Sequence, residues 1–287
     1  HPELFDINCG DVGNNAGGPQ GANGDWMHIN AIDHNPHLDQ IAISSRLQDE
    51  IFIIDHGTTT EEAASHSGGN SGKGGDFLYR WGNPQNYGRG TEENKILNDQ
   101  HGVNWIDVDF PGSGNILIYN NLHFMGEENH SAVVEISPPL DENDNYSISN
   151  DMAYGPEKIE WLYNGDDIST PMQGGAFRLP NGNTIITQTH ASRMVEIDMD
   201  GNHVWEYQHE VEFGNSWIAR AQKYAPDYLN MDPLGDMNED GLLNVLDIVI
   251  LANLILNAEF DFSGDLNQDD MLNVLDIVLL VGIILGD

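Results

Sequence analysis

The sequence is poor in cysteine and in positive charge. Its 287 residues include one cysteine, Cys9, so no disulfide can form within the chain, and we interpret Cys9 as structural. Ten Lys and Arg residues stand against 47 Asp and Glu, giving a formal net charge of -37. Such a surface repels nucleic acid phosphates and anionic membranes, so we expect neither as a partner.

Long apolar runs are also missing. The run 248–256 is too short to span a bilayer and contains Asn253, so we predict no membrane span. The chain opens at His1 with neither an initiator Met nor a charged-then-apolar leader. We therefore expect that a signal peptide was removed or lies outside this sequence.

Short apolar stretches rich in β-branched residues recur from residue 25 to about 210, between clusters of Gly, Asn, Asp and Pro. This pattern predicts a mainly β domain. Three segments repeat one unit of about four strands, and their openings at His28, His101 and Gly174 are 73 residues apart. Such units are typical of a β-propeller, with a β-sandwich as the alternative. Because three units cannot close a ring of six, we expect N-terminal blades to be absent from this sequence.

The composition changes near residue 232. All ten basic residues lie between Arg46 and Lys223, whereas the segment from Gly235 onward has eleven acids and no base. We predict two domains, a β-propeller over 1–231 and a small α-helical domain over 232–287.

The second domain contains two copies of a twelve-residue loop, beginning at Asp236 and Asp265 and each followed by an apolar helical run. Carboxylate and amide oxygens stand at loop positions 1, 3, 5, 9 and 12, with a main-chain carbonyl at position 7, which suits a hard cation such as calcium. Position 6 is Gly241 in the first copy and Asp270 in the second. Asp/Asn-rich turns without an ion are the alternative. The predicted ligands of the two calcium ions are Asp236, Asn238, Asp240, Leu242, Asn244 and Asp247, and Asp265, Asn267, Asp269, Met271, Asn273 and Asp276.

This pair of loops, each with a following helix and no entering helix, resembles the dockerin type I repeat. The resemblance implies a secreted or cell-surface protein, extracellular or periplasmic, whose C-terminal domain docks on a partner. Loop positions 10 and 11, which contribute to docking in dockerins, are the apolar pairs 245–246 and 274–275. A cohesin-like domain, the chain's own propeller and a neighbouring subunit are all compatible partners.

A second resemblance covers about two hundred residues. The stretch Gly24-Asp-Trp-Met-His-Ile-Asn30, then Asp99-Gln-His101, then Gly175-Ala-Phe-Arg-Leu-Pro-Asn-Gly-Asn-Thr184 is similar to the arylsulfotransferase family. That family implies a six-bladed propeller that moves a sulfuryl group from an aryl sulfate to a phenol without a nucleotide donor.

The same resemblance implies roles for three histidines. His190 would attack sulfur to form a sulfohistidine, His101 would protonate the departing phenolate, and His28 would hold sulfate oxygens. Asn30, Arg46 and Asn104 are candidates for orienting the substrate or stabilising its charge.

One difference from the family pattern bears on catalytic activity. The family places an Arg shortly after the strand that matches residues 116–119, and residues 120–124 here contain none. His123 or Arg46 are the candidates to replace it, or the domain is a non-catalytic binding or scaffold module. The other histidines, including His34, His37, His56 and His66, are interpreted as solvated loop residues. We see no spacing that supports metal binding by histidine.

Overall fold

The computed structural model describes residues 1–5, 25–125, 128–149, 151–165, 167–210, 217–224, 233–269 and 271–286. Cys9, Asp270 and the predicted boundary between 231 and 232 lie outside the described residues. The chain forms two compact units, His1–Lys223 and Tyr224–Asp287.

The first unit contains three antiparallel sheets of four strands, and in each sheet the strands neighbour one another in chain order. The prediction of a mainly β domain built from four-stranded units is confirmed. The first sheet comprises β1 (Ile29–Asn35), β2 (Gln40–Ser45), β3 (Glu50–Asp55) and β4 (Tyr79–Trp81). The second comprises β5 (His101–Trp105), β6 (Ile116–Met125), β7 (Glu128–Ile136) and β8 (Trp161–Tyr163). The third comprises β9 (Gly175–Arg178), β10 (Thr184–Gln188), β11 (Arg193–Ile197) and β12 (His203–Gln208).

The side chains of successive strand residues point to opposite faces and build two hydrophobic cores. Ile116 and Ile118 of β6 face the first sheet, while Leu117 and Tyr119 face the third, because neighbouring side chains of a strand point to opposite faces. The second sheet is therefore buried on both faces. The first strands, β1, β5 and β9, lie next to one another in that order. Consecutive propeller blades are expected to stack face to face, with their first strands next to one another, as these sheets do.

The connection from β3 to β4 includes the short helix α1 (Thr60–Ala63). Thr59 caps it, since its side chain accepts a hydrogen bond from the Glu62 amide while the Glu62 carboxylate accepts one from the Thr59 amide.

The second unit contains α2 (Val245–Asn257) and α3 (Val274–Leu285), which pack against each other. Each helix begins directly after the ninth residue of a predicted loop, because that residue, Asn244 or Asn273, caps the helix with its side chain. In the described part of the chain, no helix is both long enough and apolar enough to cross a membrane.

Candidate functional site

The predicted site residues gather at one end of the sheets. His28 directly precedes β1, and Arg46 directly follows β2. The main-chain N–H of Arg46 donates to the carbonyl oxygen of His28 at 3.2 Å. His101 opens β5 and pairs with Tyr119 near the middle of β6. In the third sheet the equivalent opening position is Gly174, which carries no side chain. The repeated geometry therefore supplies two imidazoles at the starts of first strands, not three.

His101 is buried and its ring is held by oxygen atoms. Its Nδ1 lies 2.8 Å from Oδ1 of Asn121 and 3.0 Å from the carbonyl oxygen of Asp99. The Asn121 amide is oriented by its own Nδ2, which donates to the carbonyls of Thr170 and Gln173 at 2.7 Å each. Since both neighbours of Nδ1 are acceptors, Nδ1 carries the proton and Nε2 keeps its lone pair.

Burial lowers the pKa of His101, and the nearby positive charges of Arg46 and His28 act in the same direction. The hydrogen bond from Nδ1 to Asn121 partly opposes this shift. The neutral ring is therefore favoured at neutral pH. A neutral ring with a free Nε2 suits a base or nucleophile better than the proton donor implied by the family resemblance.

The other two groups near His101 are paired with carboxylates. Nδ1 of His28 contacts Oδ2 of Asp25. The guanidinium of Arg46 holds Asp99 with two contacts of 3.2 Å, from Nη2 to Oδ2 and from Nε to Oδ1. Arg46 is thus largely neutralised by Asp99, which weakens it as a replacement for the missing family Arg.

His123, the other candidate replacement, cannot supply a positive charge easily. Its ring is half-buried, and burial lowers its pKa, so that the neutral form is favoured. The side chain of Asn120 lies 3.3 Å from its Nδ1.

His190 follows the end of β10, a strand of the third sheet. Its ring packs against the Trp217 ring with centroids 4.7 Å apart, and its Nδ1 is buried without a hydrogen-bond partner. The described contacts thus bring His28, Arg46 and His101 together. His190 lies at the same end of the sheets, against the segment 217–221 that also contains Arg220.

Asn30 and Asn104 connect strands. Nδ2 of Asn30 donates to the carbonyl of Gln100 at 2.8 Å, and Nδ2 of Asn104 donates to the carbonyl of Ala176 at 2.9 Å. Each amide therefore links neighbouring sheets. Oδ1 of Asn30 is buried without a partner, so that atom alone remains for an orienting role.

Arg220 is a functional candidate that the sequence motifs missed. It lies in the segment 217–221, whose Ala219 carbonyl accepts from the Gly174 amide at 3.2 Å. A Cβ placed on Gly175 would lie 3.2 Å from Cγ of Arg220, and one placed on Gly102 would lie 3.8 Å from its Nη2. Gly175 leaves room for the Arg220 side chain, and the guanidinium lies beside Gly102, the residue after His101.

Arg220 is exposed, and its guanidinium lies 6.0 Å from the ring centre of Phe177. No acidic side chain in the described ranges forms an ion pair with it. No motif could have found Arg220. Asp25 and Asn121, by contrast, stand within motifs already noted, as the acid of Asp-Trp-Met-His and the second residue of Asn120-Asn121.

The two loops of the second unit are built alike. In the first, Oδ1 and Oδ2 of Asp236 accept from the amides of Asp240 and Gly241, at 3.2 and 2.6 Å. The carboxylate of Asp247 accepts from the amides of Met237 and Asn244 at 2.9 and 2.8 Å. Gly241 adopts the left-handed conformation, with φ of 78°, that its loop position requires.

The second loop repeats these contacts in its described part. Asp265 accepts from the amide of Asp269 at 3.2 Å, and Asp276 accepts from those of Leu266 and Asn273 at 3.0 and 2.9 Å. The first and last acids of both loops are buried, namely Asp236, Asp247, Asp265 and Asp276.

Comparison with protein families gives one match. The model described as Arylsulfotransferase (ASST) matches residues 10–151, just under half of the chain. This range contains His28, Asn30, Arg46, His101 and Asn104. His190, Arg220 and both loops lie outside it. No curated protein matches the chain.

Several solved structures are similar to part of this chain. A streptogramin B lyase is 13% identical with a TM-score of 0.37, covering 68% of this chain and 45% of its own. The virginiamycin B lyase from Staphylococcus aureus is 14% identical with a TM-score of 0.33, covering 65% of this chain and 43% of its own. A protein of unknown function from Bacteroides caccae is 11% identical with a TM-score of 0.35, covering 64% and 47%. The chain thus spans less than half the length of each of these structures.

Proposed function

We propose that the first unit transfers a sulfuryl group from an aryl sulfate to a phenol, without a nucleotide donor. The observation that carries this proposal is the buried, neutral His101, whose Nδ1 proton is held by Asn121 and whose Nε2 is free. The match of residues 10–151 to an arylsulfotransferase model supports the reaction class.

The transfer proceeds in two displacements. The lone pair of His101 Nε2 attacks sulfur, the bond from sulfur to the aryl oxygen breaks, and its electron pair leaves with that oxygen. His28, held by Asp25, donates a proton to the departing oxygen. In the second displacement the acceptor phenol gives its proton to His28 and attacks sulfur, and the nitrogen–sulfur bond breaks with its electrons returning to Nε2.

Arg220 stabilises the charge on the sulfuryl oxygens in this proposal. The transferred group carries negative charge throughout the reaction. A guanidinium that forms no ion pair with a carboxylate of the described ranges interacts with it more strongly than the paired Arg46. Its position over Gly102 and Gly175 supports this role, because both residues belong to the openings of first strands.

His190 is the alternative nucleophile implied by the family resemblance. Both histidines can be tested in one experiment with calcium-saturated full-length protein, an aryl sulfate and a phenol acceptor. We expect His101→Gln to lower turnover by about 10⁶-fold, the order of loss for removing a catalytic nucleophile. His66→Gln is the control, because His66 is an exposed imidazole paired with Asp76.

Mass spectrometry of protein quenched during turnover locates the covalent intermediate. A sulfated peptide containing His101 is the expected result. Sulfation of His190 would move the nucleophile to the third sheet but keep the reaction. Failure of both His101→Gln and His190→Gln to differ from His66→Gln, in an active protein, would remove the proposed chemistry.

A second candidate function is a non-catalytic module that binds a sulfated or other anionic aromatic ligand. The feature that favours it is Gly174, which stands where the repeat would place a third histidine. Titration calorimetry with an aryl sulfate distinguishes the two. Binding without phenol release, lost in Arg220→Gln, would favour the module.

We propose that the second unit binds two calcium ions and connects the protein to a partner, as a dockerin does, outside the cell or in the periplasm. Four buried carboxylates in a segment without Lys, Arg or His need a cation nearby, since each buried charge costs several kcal/mol of desolvation. Only oxygen ligands are offered, which suits calcium.

Calcium titration of the full-length protein after chelation tests this. Two ions should bind, and Asp236→Asn with Asp247→Asn should remove one of them, as should Asp265→Asn with Asp276→Asn. The control is Glu259→Gln, since Glu259 is exposed between the loops. Helical circular dichroism that is unchanged by calcium removal would contradict the expected coupling of binding to folding.

A further inference from the structure

The first sheet carries a cluster of metal-binding side chains at the end opposite His28. His34 stands near the end of β1, Asp39 lies in the turn before β2, and His56 follows β3. Gln40 of β2 pairs with Asp55 of β3, which brings the turn and His56 to the same edge. The proposed reaction does not use these residues.

The three side chains offer ligand atoms that all lie within 4.8 Å of one another. Oδ1 of Asp39 lies 2.6 Å from Nδ1 of His56 and 3.3 Å from Nε2 of His34. The two imidazole rings have centroids 4.7 Å apart, at an angle of 54°. Ligand atoms placed about 2.0–2.2 Å from one ion are separated by just over 3 Å, so small side-chain movements complete the geometry.

The carboxylate is held in place by a second set of contacts. The Asp39 main chain is left-handed, with φ of 48°, and its carbonyl accepts from the His56 amide at 3.0 Å. Its Oδ2 accepts from Nδ2 of Asn70 at 2.8 Å, leaving Oδ1 to the imidazoles. A Cβ on Gly57 would lie 2.2 Å from that Nδ2, so the glycine makes room for the amide. Contacts of this kind orient metal ligands in known sites.

We propose that His34, Asp39 and His56 bind one divalent transition-metal ion, with zinc the best match. Two imidazoles with a carboxylate favour zinc over calcium or magnesium, which prefer oxygen ligands alone. Half-exposed side chains leave further coordination positions to water. The ion joins the β1–β2 turn to the segment after β3, a cross-link in a chain that cannot form an internal disulfide.

Zinc titration calorimetry of the full-length protein tests the site, with calcium at saturation so that the loops of the second unit are filled. One zinc ion should bind to the unmodified chain, and cobalt in its place should give the absorption of a nitrogen- and oxygen-ligated ion. His34→Gln and His56→Gln should each abolish this binding. Asn70→Ala should weaken it by about 10- to 100-fold, the usual cost of losing an orienting contact.

His66→Gln is the matched control, because His66 is also an exposed imidazole in contact with an aspartate, Asp76, at 2.6 Å, but has no second imidazole beside it. It should bind zinc like the unmodified chain. Unaltered calcium binding and circular dichroism show that each variant is folded. Equal zinc binding in the His34, His56 and His66 variants, or none in the unmodified chain, would overturn the proposal.

Discussion

At the scale of single residues, the most informative contact is the one from Asn121 to His101. The amide turns its oxygen towards Nδ1 because its nitrogen is occupied by two main-chain carbonyls. One side chain thereby fixes the tautomer of the ring and, with burial, its charge. A carboxylate in place of this amide would change the charge preference.

Replacing Asn121 with Asp should therefore move the pH profile. In the unmodified chain burial lowers the pKa of His101, so activity that needs the neutral ring persists as pH falls through the ordinary value and is lost only below the lowered pKa. A carboxylate beside Nδ1 favours the protonated ring, so in Asn121→Asp the acid limb of kcat/KM should lie at higher pH by about one to three pH units. NMR titration of the His101 ring checks the assignment. An acid limb that does not move would mean that another group controls the profile.

The guanidinium of Arg220, which forms no ion pair within the described ranges, leads to a second prediction at this scale. Removing its charge with Arg220→Gln should lower kcat/KM for aryl sulfate by about 10²- to 10³-fold, as for loss of one charge-stabilising donor. Lys158→Gln removes an exposed cation before β8 and should leave the rate unchanged. Equal rates in the two variants would place the charge stabilisation elsewhere.

At the scale of elements, buried ion pairs join the strands. Within the first sheet, Nε and Nη2 of Arg80 on β4 bind the carboxylate of Glu50 on β3, at 2.9 and 2.5 Å. Between the second and third sheets, Nη2 of Arg178 on β9 contacts Oε2 of Glu135 on β7. Both residues of this second pair are buried, so each charge depends on the other.

Replacing one residue of the Glu135–Arg178 pair should lower the free energy of unfolding more than replacing both. Arg178→Ala leaves the Glu135 carboxylate buried without its cation and should lower the free energy of unfolding by about 3–5 kcal/mol. Glu135→Gln combined with Arg178→Met should recover much of that loss. Urea unfolding followed by tryptophan fluorescence measures it, because all six tryptophans lie in the first unit. A double variant no more stable than the single one would show that the charge was not the cause.

Short apolar runs rich in β-branched residues, together with the 73-residue spacing, were enough to predict the three sheets, because the runs are local and the spacing repeats along the chain. The proximity of His34 and His56 was not predictable, because 21 residues separate them in the sequence and the register of three strands brings them together. Arg220 was missed for a related reason. Its segment contains no motif. Its role can be inferred only from the structure, where it lies beside Gly102 of the second sheet and Gly175 of the third.

At the scale of the whole molecule, two apolar surfaces remain open. The strand β12 ends the third sheet and is exposed along its full length, including Val204 and Trp205. In the second unit, apolar residues of α2 and α3 are exposed, with Val249 at 53% and Val278 at 61%. A sheet edge with unpaired main-chain groups and apolar side chains is a template for another chain.

We predict that the protein self-associates through the β12 edge when studied alone. Light scattering after size-exclusion chromatography should show a mass that rises with protein concentration, because edge pairing is bimolecular. Val204→Lys should shift the distribution towards monomer, since a charge at an edge strand opposes pairing.

Val249→Lys is the matched change on the helical surface and should have no effect if the edge is responsible. The reverse pattern, with monomer restored by Val249→Lys alone, would assign association to the second unit. A chain that stays monomeric at all concentrations would mean that the open edge is tolerated.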